Sequence, residues 1–265
     1  MASDEILARG PAPGEALGQE GDYPEHALGM SIRSDAGLMR RALLFEVVAF
    51  LLLIVPGLAL SFSAVKEGTV SFALEATATI LRDIAVVVLV LYFIWRNGEP
   101  ARTIGWAAAD PRREVAIGLT LYLPLFFAAS FLERVLQAAG LSVSMFPARH
   151  GLMHMAATMP DFVLGTLLVV VVAISEETVF RGYLIGRLGA VGGNPAFAVL
   201  VATFVFALGH GYEGTAGVIT VGFMGMIFAV VYRWRGSLIA PMVMHFLQDF
   251  IAVVLLPLLA AGRVG

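Results

Sequence analysis

No cysteine occurs anywhere in the 265 residues, and lysine occurs once, at Lys66. The first absence excludes disulfides, thiolate zinc sites, a cysteine nucleophile and lipidation on cysteine. The second, with sixteen arginines scattered and unclustered, leaves no basic patch of the kind that binds nucleic acid. Charge is scarce altogether, at 14% of residues against 59% apolar, and the mean hydropathy is +0.86. A soluble domain holds about 45–50% apolar residues. The chain therefore reads as an integral membrane protein in contact with the lipid bilayer, of all-α class. The near-neutral balance of −3 says little about partners.

Residues 1–38 combine Pro, Gly and acidic residues without apolar periodicity, which reads as a flexible polar tail. A signal peptide would start with a basic region and an apolar run, whereas the first apolar run starts at Ala42. Residues 39–265 read as one transmembrane helical bundle. Apolar runs near the roughly 20 residues a bilayer requires place spans at 42–62, 77–95, 116–136, 162–187, 195–212, 215–232 and 238–260. Counting basic residues with the tail cytoplasmic puts Arg33, Arg40, Arg41, Arg96, Arg102, Arg112, Arg113, Arg187, Arg233 and Arg235 inside, and only Lys66, Arg134, Arg149 and Arg263 outside. By the positive-inside rule the N-terminus is expected in the cytoplasm. The absence of an internal repeat weakens a transporter built from inverted halves.

The stretch 169–188, VVVVAISEETVFRGYLIGRL, sets two glutamates and an arginine into a membrane span. The apolar run from Phe162 to Ile174 is too short to cross alone, so the helix must continue through the charges. Glu176 lies eleven residues before Arg187, or roughly 16 Å at 1.5 Å per residue, near mid-membrane. His245 lies ten residues after Arg235, about 15 Å by the same rise, and His210 lies seventeen after Gly193, about 25 Å. Three spans thus bring ionisable groups toward one layer, where such residues ordinarily face a polar interior or a water-filled cavity. Glu177 and Arg181 are spaced i,i+4 in the favoured order for an ion pair, as are His245 and Asp249 for a shared face. Glu176 points about 100° away from that pair, free to meet the histidines and to serve as a general base. A carboxylate with two imidazoles can activate water and steady a tetrahedral oxyanion.

In order, Glu176-Glu177-x-x-x-Arg181, Phe206-x-x-x-His210 and His245-x-x-x-Asp249 resemble the motifs of the CAAX protease and bacteriocin-processing (Abi) family of intramembrane endopeptidases, over about residues 165–250. The resemblance implies a fold of about seven or eight helices that hydrolyses a peptide bond at a site opening toward the cytosol. It makes Glu176 the water-activating base with His210 beside it, Glu177 and Arg181 supports, and His245 and Asp249 the groups facing the scissile carbonyl. The implied partner is a hydrophobic or membrane-anchored protein or peptide, and a bacterial inner membrane is the expected location. Prenyl-protein proteases of the family carry Asn where this chain has Asp249. An ionised aspartate only accepts hydrogen bonds, so Asp249 is protonated, orients His245 or helps hold a metal.

No cofactor is favoured. As a metal alternative, Glu176, His210, His245 and Asp249 could supply carboxylate and imidazole ligands for zinc or another divalent ion, although no H-E-x-x-H helix is present. His150 and His154 form a weaker candidate pair in a stretch that reads as an outer amphipathic segment. Arg82 and Asp83 read as a paired or lining couple in the second span. Gly214, Gly222 and Gly225 mark expected close helix packing. Two rivals remain for the whole: a proton-coupled transporter or channel using the same Glu and His groups, and a catalytically silent immunity or scaffold protein.

Overall fold

A computed structural model describes residues 25–60, 72–142 and 159–261. Lys66, Arg149, His150, His154 and Arg263, and most of the segment read as a tail, lie outside the described residues. The chain divides into two compact units, 1–42 and 43–265, and the second holds every residue discussed below.

Among the described residues the regular structure is helical: α1 (Glu25–Leu60), α2 (Phe72–Arg96), α3 (Pro111–Ala138), α4 (Met159–Glu176), α5 (Ile185–Gly192), α6 (Pro195–Leu208), α7 (Gly214–Arg235), α8 (Ile239–Asp249) and α9 (Leu256–Ala261). Two π-helical segments, Glu177–Leu184 and Phe250–Leu255, fuse α4 to α5 and α8 to α9. Five stretches among the described residues are long and apolar enough to cross a bilayer: Phe72–Arg96, Pro111–Ala138, Met159–Gly192, Gly211–Arg235 and Ile239–Leu259. The protein is a multi-pass membrane protein, an all-α polytopic bundle. Large apolar side chains such as Phe127, Phe131, Leu200 and Phe204 face outward, where lipid is their natural solvent.

Local sequence accounts for the turns. Asp110 caps α3 by accepting from the Arg113 N–H at 3.1 Å, with Pro111 in the first helical position. Gly193 ends α5 at φ 70°, Asn194 caps α6 through the amides of Ala196 and Phe197, and Pro195 starts the helix. The fifth expected span is corrected here. It was placed at 195–212, but α6 stops at Leu208 after 14 residues, about 21 Å, short of the roughly 30 Å apolar core. Gly209 and His210 form a turn that leads into a short 3-10 segment, Gly211–Glu213. His210 therefore sits beyond the end of a short helix rather than within a full span.

One end of the bundle is tied by polar contacts between connectors. The backbone N–H of Leu238 donates to the Gly105 carbonyl at 3.1 Å, and Arg235 grips Glu114 with Nη2 to Oε1 at 2.6 Å. Arg187 pairs with Glu46 at 2.8 Å and with Glu99 at 2.9 Å. Tyr183 donates its hydroxyl to the same Glu46 at 2.7 Å. The core beneath is aromatic and aliphatic, with Phe50 edge-on to Tyr183 at 5.0 Å and with Val90, Leu184, Phe228 and Met244 buried.

Candidate functional site

Both helices that carry the acidic and histidine motifs change their winding at the motif. The α4 helix gives way to a π segment immediately after Glu176, and α8 does so immediately after Asp249. Widening to i→i+5 hydrogen bonds is uncommon and often accompanies functional positions. All eight residues of the first π segment are buried, so it forms the centre of the bundle rather than its lipid face.

At that centre Arg181 and Glu177 are almost completely enclosed. Arg181 donates from Nη1 to Glu177 Oε1 at 2.8 Å and from Nη2 to the Gly225 carbonyl at 3.0 Å. Its guanidinium lies over the Phe206 ring at 4.2 Å and near Phe228 at 5.4 Å, which adds cation–π attraction in a desolvated setting. Gly225 makes this possible. A Cβ there would stand 2.8 Å from Arg181 Nη2 and 2.8 Å from Phe206 Cδ1. Gly222 reaches only ordinary contact with Ala207, and Gly214 opens α7 at φ 77°.

Glu177 has a second partner that spacing along its own helix does not reveal. His245 Nδ1 lies 2.9 Å from Glu177 Oε1. A carboxylate accepts, so Nδ1 carries the proton and donates. Nε2 is thereby turned toward the other two carboxylates, 3.7 Å from Glu176 Oε2 and 3.4 Å from Asp249 Oδ2. The His245 ring is fixed by stacking on Phe228 at 5.4 Å and by the edge of Phe206 at 6.1 Å. Side-chain exposure separates the three carboxylates: Glu177 has none, while Glu176 keeps 22% and Asp249 26%. Glu176 and Asp249 are thus the two with partial exposure, and Glu176 Oε2, the oxygen facing His245, is buried without a hydrogen-bond partner.

His210 joins this group through Phe206. Its ring centroid is 4.8 Å from that of Phe206, and its Nδ1 is 3.1 Å from the Phe206 carbonyl. A carbonyl accepts, so this contact places the proton on Nδ1 and leaves Nε2 as an acceptor. Among the described residues no hydrogen bond or ion pair joins His210 to Glu176. The α2 helix reaches the site from the other side. Ser175 Oγ donates to the Asp83 carbonyl at 3.0 Å, and Asp83 is buried and pairs with the exposed Arg82 at 2.8 Å. The paired reading of Arg82 and Asp83 is what the structure has. The connector also contributes, since Trp106 Nε1 donates to Thr178 Oγ1 at 2.9 Å.

Among the described residues no group of three or more His, Asp or Glu side chains is arranged to hold a metal ion. Of the four candidates, His245 Nε2 faces Glu176 and Asp249, while His210 lies on the other side of the Phe206 ring.

The sequence of this region, 157–251, matches the family model described as type II CAAX prenyl endopeptidase Rce1-like. The matched segment runs from just before α4 to the second π segment and contains Glu176, Glu177, Arg181, His210, His245 and Asp249. It is similar to the membrane-embedded CAAX protease MroQ of Staphylococcus aureus (strain USA300), at 38% identity over 85 residues. That alignment covers 30% of this chain and 33% of MroQ, so the chain matches about a third of the length of this curated relative. No solved structure matches the chain.

Two features of the site were not read from the sequence. Phe228, which stacks on His245, carried no signal beyond being one apolar residue in an apolar helix. The Glu177–His245 bond crosses between helices and has no spacing signature. A cavity of about 80 Å³ lies between α3, α7 and α8.

Proposed function

We propose that residues 39–265 form an intramembrane endopeptidase that hydrolyses a peptide bond in a hydrophobic or membrane-anchored protein, with the N-terminus on the cytoplasmic side of a bacterial inner membrane. The observation that carries this reading is His245. Its Nδ1–H is spent on an enclosed Glu177, and its Nε2 stands between two carboxylates that keep partial exposure. An imidazole so anchored presents one fixed polar atom to a ligand, which suits transition-state stabilisation by a preorganised donor.

In the proposed reaction Glu176 takes a proton from a water molecule as its oxygen attacks the scissile carbonyl carbon. The carbonyl oxygen becomes an oxyanion and accepts from the Nε2–H of His245, which acts as an imidazolium with its Nδ1–H on Glu177 and its charge balanced by the surrounding carboxylates. His210 Nε2 accepts a hydrogen bond from the same water and holds it for attack. The C–N bond then breaks, Glu176 returns its proton to the departing amine, and a new carboxyl and a new amine are left. Asp249 holds Nε2–H toward the substrate, while Glu177 and Arg181 fix the ring and the helix that carries it. General base catalysis contributes about 10²–10⁴-fold.

The reaction is proposed to be metal-independent, because among the described residues His210 does not join His245, Glu176 and Asp249 in one ligand set. The test uses the full chain in liposomes with a peptide that the wild type cuts. Cutting that survives extensive chelation and is lost in Glu176→Gln agrees with the proposal. Cutting abolished by chelation and restored by added zinc contradicts the metal-independent part of it.

A further inference from the structure

The cavity of about 80 Å³ beside the cluster holds side chains that hydrolysis does not use. Its polar lining comes from Ser130 and Glu133 of α3, Glu213 of the 3-10 segment, Thr220 of α7, and Gln248 of α8. Its apolar wall includes Phe126, Val221 and Met224.

Thr220 is 6% exposed, and its hydroxyl has no hydrogen-bond partner. A helical threonine ordinarily satisfies its hydroxyl on the carbonyl four residues back, as Thr77, Thr120, Thr166 and Thr178 do in this protein. Thr220 does not, and it lines the cavity. A buried polar group left unmade in this way points to something that completes it.

Glu213 is held over the first turn of α7 because residue 217 is glycine. A Cβ at Gly217 would stand 2.5 Å from Glu213 Cβ and 3.2 Å from its Oε2. Glu213 bonds through its N–H to the His210 carbonyl at 2.9 Å, and Gln248 precedes Asp249 on α8, which puts the cavity next to the reacting groups. Among the described residues neither Glu133 nor Glu213 is ion-paired with Lys or Arg, and no cationic side chain lines the cavity.

Two carboxylates, a spare hydroxyl and an amide at the polar end, with an apolar wall beside them, complement a long aliphatic stem that ends in a cation. A bare inorganic cation has no use for the apolar wall, and waters alone, at about 30 Å³ each, would leave the two carboxylates without a counter-charge. We propose that this cavity is a substrate subsite that receives a lysine or arginine side chain lying within a few residues of the cleaved bond. The proposal rests on the endopeptidase reading and names the class of peptide that the site prefers.

The test has two stages. Membrane proteins from cells carrying wild type, Glu176→Gln, Glu213→Gln or Thr220→Val at matched levels are compared by their intact termini. Termini made by the wild type and absent in Glu176→Gln define the cut sites, which are expected to carry Lys or Arg nearby. A synthetic peptide of one such site and its Lys→Gln (or Arg→Gln) counterpart are then cut by the full chain in liposomes. Glu213→Gln is expected to lower kcat/KM for the basic peptide at least about tenfold and to leave the neutral one as the wild type does. Thr220→Val, which keeps side-chain volume, is expected to act in the same direction, more weakly. Cut sites without basic residues, or Glu213→Gln and Thr220→Val slowing both peptides equally, would overturn the subsite and leave the endopeptidase reading standing. No terminus changed by Glu176→Gln would overturn both.

Discussion

His245 donates from Nδ1 to Glu177 at 2.9 Å, and the same Glu177 oxygen accepts from Arg181 at 2.8 Å. One carboxylate oxygen, enclosed on all sides, thus fixes both the orientation of the imidazole and the place of the arginine. It links the motif on α4 to the motif on α8, and neither charge can be removed without stranding the other.

Glu177→Ala is accordingly expected to destabilise the protein by about 3–5 kcal/mol, the cost of leaving a buried charge unpaired. Arg181→Ala should cost a similar amount for the converse reason. Thermal unfolding in detergent, read by near-UV circular dichroism, measures it. The double variant is expected to be less destabilised than the sum of the two, which separates a coupled pair from two independent packing losses.

Gly225→Ala tests the close approach of α7 to the π segment. The added methyl would meet Arg181 and Phe206 at 2.8 Å, and overpacking of this kind costs about 1–3 kcal/mol. A lowered melting temperature is expected, whereas Gly189→Ala, where nothing lies within 4 Å, should leave it unchanged.

Arg187 holds Glu46 and Glu99 at the end of the bundle. Because Glu99 keeps 27% side-chain exposure, the loss in Arg187→Ala should fall below that of a fully enclosed pair, roughly 1–3 kcal/mol. Equilibrium unfolding should show it with cleavage by the folded fraction preserved.

Much of this arrangement was legible before any coordinates. The i,i+4 spacing of Glu177 and Arg181 gave their pairing, and the run through the charges gave α4, the π segment and α5 as one membrane crossing. The basic residues Arg187 and Arg235 marked helix ends that bind Glu99 of the connector and Glu114 of α3, where Leu238 also bonds to Gly105. What escaped was contact between helices. Residue spacing describes one helix surface, so it could place Glu176 and Glu177 on different faces but not show that His245 from α8 reaches both. The early stop of α6 had a signal in Gly209, which follows Leu208 directly, and in Gly211 after it, since a glycine after the last apolar residue commonly ends a helix; the span was instead bounded by hydropathy alone.

The central claim is that Glu176 activates the water. Its most direct test is the comparison of intact C-termini in membrane proteomes from cells carrying the wild type, Glu176→Ala or His245→Ala at matched protein levels. The account predicts that particular membrane proteins lengthen or accumulate uncut in both variants, with the variant proteins folded and inserted as the wild type is. Termini identical in all three would contradict it, and would leave the buried charges to a structural role or a proton relay.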